Sequence, residues 1–218
     1  MDLMSYLLGK NSSSGGGGVD ILDYFNDTIN FNTASNKQYS YLVKKMPPLK
    51  IVSTVTSLVY AFTNYQGETI KFDFENSDFS NVTNTSIMFQ NCINLKEVDM
   101  SGLVSSKIAS INGMFFNCTE IRKIDLSGLT NVANYNGGEA FSGCNKLAVL
   151  DISSLSKPAT FAPSYYQDMF YNCGTNCLQS DGAYADGVPY IYVKDADMQT
   201  WILTQRTDWT TANVIVKE

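Results

Sequence analysis

The sequence contains no histidine. That removes at once the commonest general base and the commonest metal ligand. Catalysis would have to run on carboxylates, a thiol or tyrosine, and none of these falls in a recognisable catalytic motif. Basic residues are also scarce: 15 Lys and Arg against 21 Asp and Glu leave a net charge of −6. No Lys/Arg stripe interleaved with aromatics appears, so nucleic acid, which is held through clustered cations, is excluded as a partner. Long apolar runs are missing as well. No stretch approaches the roughly 20 residues of a membrane span. The segment from Met1 to Lys10 has neither a basic n-region nor an h-region of secretory length, so no signal peptide is expected. Charged residues make up only 17% of the 218-residue chain, yet 44% is hydrophobic, enough to bury a core and too much for a disordered chain.

What is present is a repeat. Cys92, Cys118 and Cys144 are spaced 26 residues apart, and Cys173 follows after 29. Phe89, Phe115, Phe141 and Phe170 each precede one of them by three positions. Asp99, Asp125 and Asp151 keep the same step, and Asp73 extends it backwards. Several columns coinciding at one period mark a solenoid, in which each unit buries its apolar face only against its neighbours. The triplets Val98-Asp99-Met100, Ile124-Asp125-Leu126 and Leu150-Asp151-Ile152 alternate as half-buried strands do. The stretch Met-Phe-x-x-Cys has helical spacing and predicts one or two helical turns that turn Phe and Cys inward. The expected fold class is therefore an α/β solenoid of 26-residue period, a parallel β-sheet backed by short helices.

The periodic residues admit two readings. Five cysteines in a short chain suggest disulfides or a metal site. A buried thiol recurring beside Phe in every coil instead behaves as a small hydrophobe, and the core reading is favoured. Cys177 stands outside the column, which leaves a Cys173–Cys177 disulfide open; zinc lacks two further ligands. The aspartates point outward between inward-facing neighbours. They either form a cation or ligand site or accept hydrogen bonds from the loop after each strand. Recurrence in every coil favours the architectural role. No metal, cofactor or catalytic residue is assigned.

The ends differ from the repeat. Residues 1–18 comprise a short amphipathic peptide, with Leu3, Met4, Leu7 and Leu8 at helical spacing, and a Ser/Gly linker that gives it reach; these four are the candidate anchoring residues. Residues 19–55 read as an N-terminal helical cap with helices over 20–31 and 36–46, residues 56–193 as the solenoid, and residues 194–218 as a C-terminal cap. In that last part, Asp195 to Leu203 predicts a helix carrying Trp201, and Trp209 and Val214 to Val216 supply the bulky residues of a lid. The Gly/Asn/Asp-rich segment 174–187 is a loop of the kind that carries contacts on rigid scaffolds.

The unit Asn81-Val82-Thr83-Asn84-Thr85-Ser86-Ile87-Met88-Phe89-Gln90-Asn91-Cys92, continued by Leu95 and Val98-Asp99-Met100-Ser101, resembles the BspA-like leucine-rich repeat. The resemblance spans roughly residues 56–193 and weakens at Asn131 to Phe141, where a distorted coil is expected. It implies a leucine-rich-repeat fold, adhesion or protein binding, and no enzymatic activity. Met1 to Lys10 with its glycine tract looks like the start of structural proteins of phages and prophages of Gram-positive gut bacteria. Asp23 to Thr28 with Lys44 to Leu49, and Tyr190 to Val193 with Trp209-Thr210, are similar to the caps of phage-encoded members. These likenesses imply a virion accessory protein: a fibre, decoration or tail-tip component. Its partners would be other virion proteins, reached through the N-terminal peptide, and a host-surface protein or glycan; a homo-oligomer is compatible with this. The alternative is a BspA-like adhesin on a bacterial cell surface.

Overall fold

Strands two to four residues long can be stable only if each is flanked by others, and this chain repeats them at one register. The computed structural model describes residues 19–20, 49–51, 53–70, 77–100, 102–104, 107–129, 135–157, 166–177 and 187–217. Strands β1 (Val19–Asp20) and β2 (Leu49–Lys50) form a parallel pair. The main sheet holds β3 (Thr69–Ile70), β4 (Glu97–Asp99), β5 (Lys123–Asp125), β6 (Val149–Asp151), β7 (Tyr190–Val193) and β8 (Val214–Val216), in chain order and all parallel. Helix α1 (Ala196–Gln205) links β7 to β8. Its N-cap is Asp195, whose carboxylate accepts from the Met198 amide at 2.8 Å, the usual way of satisfying a first-turn donor. The molecule is a parallel β-solenoid.

The register explains the columns. Glu97 lies opposite Lys123 and Lys123 opposite Val149, so one coil is 26 residues at β4–β6. Val98, Ile124, Leu150, Ile191 and Val214 follow one another across the sheet and are all buried. Leu95, Ile121 and Leu147 line the core ahead of the strands, and Met100, Leu126 and Ile152 behind them. At β3 the step is 28 residues, with Thr69 opposite Glu97. Asp73, which extends the aspartate column in the sequence, lies outside the described residues.

The short helices expected at Met-Phe-x-x-Cys are replaced by pairs of consecutive turns. In one row the amides of Met88, Gln90 and Cys92 bond back three residues, to Thr85, Ile87 and Phe89. The intervening amides of Ile87, Phe89 and Asn91 donate instead to Asn112, Met114 and Phe116 of the next coil, each at 2.8 Å. A helix directs every amide back along itself, whereas here alternate amides point along the solenoid axis and tie coil to coil. The dihedrals enforce this. Each row carries two residues of left-handed backbone four positions apart: Tyr60 and Asn64, Ile87 and Asn91, Gly113 and Asn117, Glu139 and Gly143, Asp168 and Asn172. Asn and Gly populate that region most readily, and a positive φ every fourth residue cannot continue a helix. Apolar spacing of three suits both structures, so periodicity alone does not separate them. Among the described residues α1 is the one α-helix.

From Tyr135 onward the fourth row keeps the register of its neighbours: Asn136 bridges to Ser110, and Gly138 accepts from Gly113 at 2.8 Å. Residues 130–134 lie outside the described residues. What differs is that Tyr135, at the position of exposed Thr83 and Ala109, turns into the core and meets Tyr166 edge-to-face, with centroids 5.8 Å apart. Asp20, expected to begin the first N-terminal helix, lies instead in β1 opposite Lys50. Residues 21–31, the second expected helix, the N-terminal peptide and residues 178–186 of the 174–187 loop lie outside the described residues.

Candidate functional site

Phe89, Phe115, Phe141 and Phe170 are buried and stack along the solenoid axis. Successive ring centroids are 5.1, 6.1 and 5.8 Å apart and the planes lie within 18° of parallel. Phe62 extends the stack at one end, 5.4 Å from Phe89, and Trp209 closes it edge-on, 5.6 Å from Phe170. Offset stacking of this kind adds roughly 0.5–1.5 kcal/mol per pair beyond burial.

All five cysteines are buried, and Cys173 and Cys177 are thiols rather than a disulfide. The thiols of Cys92, Cys118 and Cys144 donate to the carbonyls of Phe62, Phe89 and Phe115, one coil back, each at 3.0 Å. Those carbonyls already close a turn, and the thiol takes their second lone pair. Burial pushes the Cys118 and Cys144 thiols well above their ordinary range, and Cys173 up to about 12. A protonated thiol is a poor nucleophile and a poor metal ligand.

Asp99, Asp125 and Asp151 stand in register on the sheet face. Asp125 accepts from the Ser127 amide at 3.0 Å and its hydroxyl at 2.6 Å, and Asp151 accepts in the same way from Ser153. Asp125 and Asp151 thereby fix the turns after their strands. Asp151 is the most enclosed, and its second oxygen receives Lys217 Nζ at 2.6 Å. Burial pushes its carboxyl upward, but the Lys217 and Ser153 hydrogen bonds outweigh this and hold it below the usual range. The column is bounded on the β7 side by Tyr192, opposite Asp151. No group of three or more His, Cys, Asp or Glu among the described residues is placed to hold a metal ion.

A second polar column lies on the wall that leads into the turn rows. Ser57, Asn84, Ser110 and Asn136 pair as single parallel bridges. Asn84 and Asn136 accept, through Oδ1, from the amides of Ser86 and Gly138, and Ser110 Oγ accepts from Asn112. Sequence reasoning missed both this column and the left-handed asparagines, although Asn91, Asn117 and Asn172 each directly precede a repeat cysteine. It also missed Arg206. That guanidinium donates to Phe170 O at 2.8 Å and Cys173 O at 3.0 Å, is bound by Asp208, and lies 4.1 Å from the Trp209 ring centre. Phe170 O is where the next coil's cysteine would donate if the repeat continued. Arg206 ends the thiol column.

Comparison with known family models, curated proteins and solved structures finds no match to the chain. No helix among the described residues is long and apolar enough to cross a membrane. The recurrent residues thus serve packing and turn formation.

Proposed function

We propose that this chain is a leucine-rich-repeat binding module of the BspA-like type that serves, without enzymatic activity, as an accessory protein of a virion: a fibre, decoration or tail-tip component. Residues 1–18 anchor it to the particle through Leu3, Met4, Leu7 and Leu8, the segments before and after the repeat cap the stack, and the solenoid faces outward to bind a host-surface protein or glycan. One observation carries the binding-module part: every residue type that recurs at the period is engaged in the coil's own packing or turns, as with the thiol of Cys118 on Phe89 and Asp125 on Ser127. The coil wall is therefore a scaffold, and its exposed polar face, including Glu97, Asp99 and Lys123, is a surface for recognition. The virion assignment draws on the sequence resemblance of the ends.

Deleting residues 1–18 tests it. The truncated chain is expected to keep its circular dichroism and melting temperature while losing incorporation into particles. Normal incorporation of the truncated chain would remove the anchoring role. A signal peptide or wall anchor in the full reading frame would instead support the bacterial adhesin.

A further inference from the structure

The last turn row is unlike the four before it. In those rows three amides at alternate positions each meet a carbonyl of the next coil. Tyr60, Phe62 and Asn64 meet Ser86, Met88 and Gln90; Ile87, Phe89 and Asn91 meet Asn112, Met114 and Phe116. Gly113, Phe115 and Asn117 meet Gly138, Ala140 and Ser142; Glu139, Phe141 and Gly143 meet Gln167, Met169 and Tyr171. Their equivalents in the last row are Asp168, Phe170 and Asn172. Asp168 and Asn172 have φ of 56° and 54°, like Asn91 and Asn117 at 57° and 59°. The backbone is therefore the same and these amides point the same way, out along the axis. No described residue supplies an acceptor to them.

A cavity of about 300 Å³ lies at this edge, lined by Asp168, Phe170, Tyr171, Asn172, Thr175 and Arg206 among others. The row's carbonyls are treated differently from its amides. Phe170 O and Cys173 O are taken by Arg206, in the place of a next-coil thiol. Acceptors are satisfied and donors are left, so the site selects a ligand that brings acceptors. A simple anion is a poor fit: the Arg206 charge is matched by Asp208 at 2.6 Å, and the exposed Asp168 stands at the rim. What fits is shown four times in the same molecule, a polypeptide backbone presenting carbonyls at alternate residues.

We propose that the open edge of the last turn row is a peptide-binding site, in which a partner segment lays three alternate carbonyl oxygens on the amides of Asp168, Phe170 and Asn172, as added strands do at sheet edges. Tyr171, 61% exposed and lining the same cavity, offers a ring for an apolar side chain of that segment. The inference goes beyond the function proposed above, and it stands or falls independently of any particle.

The probe is an end-capped synthetic peptide copying residues 110–117, which already presents the carbonyls of Asn112, Met114 and Phe116 within the fold. It is titrated into the isotope-labelled full chain. The expected result is a saturable shift of the Asp168, Phe170 and Asn172 amide resonances by roughly 1 mM peptide, with hydrogen exchange at these amides slowed about tenfold or more. Thr175→Trp, at an exposed lining position, should abolish the response while the Phe141 and Gly143 amides remain protected; Val104→Trp, outside the cavity lining, should leave it intact. The proposal is overturned by shifts confined to other surfaces or by a response unchanged in Thr175→Trp. Equal shifts with inorganic phosphate would also overturn it, by assigning the edge to anions. Concentration-dependent shifts without peptide would overturn it too, by assigning the edge to a second copy of the chain.

Discussion

The thiol of Cys118 donates to the carbonyl oxygen of Phe89, 29 residues earlier in the chain and one coil away, at 3.0 Å. The same bond joins Cys144 to Phe115 and Cys92 to Phe62. Cysteine here is a hydrogen-bonding core residue sized for the corner of a coil. The five thiols should therefore resist a thiol reagent in the folded protein and react together once it unfolds. Labelling of Cys118 or Cys144 faster than global unfolding would show that the corner opens locally. Cys118→Ala, which removes the sulfur and its bond, is expected to cost about 1–2 kcal/mol in denaturant melts.

The pairing of Lys217 with Asp151 joins the chain's end to β6, 66 residues away. Asp151 is held below its ordinary value of 3.8, so its contribution is complete above that value and is lost as pH falls through the lower folded value. Lys217 is held above 10.5, chiefly by its hydrogen bond to Asp151, so its contribution is complete below 10.5 and is lost as pH rises past the folded value. Lys217→Met should lower stability by about 1 kcal/mol, since the exposed ammonium is screened. The gap from wild type should be flat between about pH 5 and pH 9 and narrow at both extremes. A gap independent of pH across the whole range would mean that the ion pair contributes nothing.

Ile87 has a φ of 59°, in the left-handed region that β-branched residues avoid. The corresponding strain is about 1–2 kcal/mol. Asparagine occupies the same backbone at Asn64, Asn91, Asn117 and Asn172. Ile87→Asn should raise stability by about 1 kcal/mol, or about 2–4 °C in melting temperature for a chain of this size. A lower melting temperature would show that the packing of the half-buried Ile87 side chain outweighs the strain.

Gly174 combines a φ of 70° with close packing: a Cβ there would lie 2.5 Å from Pro189 Cγ. Gly174→Ala should cost about 2–3 kcal/mol. Because Gly174 also accepts from the Cys177 amide, Cys177 should become the first thiol to react in that variant. Unchanged stability and labelling would show that Pro189 yields freely.

The period, the inward columns and the strands of the repeat, β4 to β6, were legible because each is a repeated identity at a fixed step: Phe115 and Cys118 recur with Asp125 whatever the intervening residues. The helix α1 was legible as the segment from Asp195 to Leu203, although the capping role of Asp195 was not. The wall of turns was not, since Met114, Phe115 and Cys118 have the same spacing on a helix as on two consecutive turns. The deciding signal was Asn117, a residue whose value lies in its backbone rather than its side chain. Arg206 was illegible for another reason. It belongs to no column, and the carbonyls it meets belong to residues 33 and 36 positions away. The candidate anchoring residues Leu3, Met4, Leu7 and Leu8 fall outside the described residues, so their assignment rests on the sequence alone.

Glu97, Lys123 and Val149 stand opposite one another because each coil touches only the coil before and the coil after. The molecule is for that reason a ruler with equal divisions. An in-frame duplication of one coil lengthens it by one strand spacing, about 4.8 Å, and leaves both ends unchanged. Length can then change by unequal recombination within a single gene, without any change to the coils at either end.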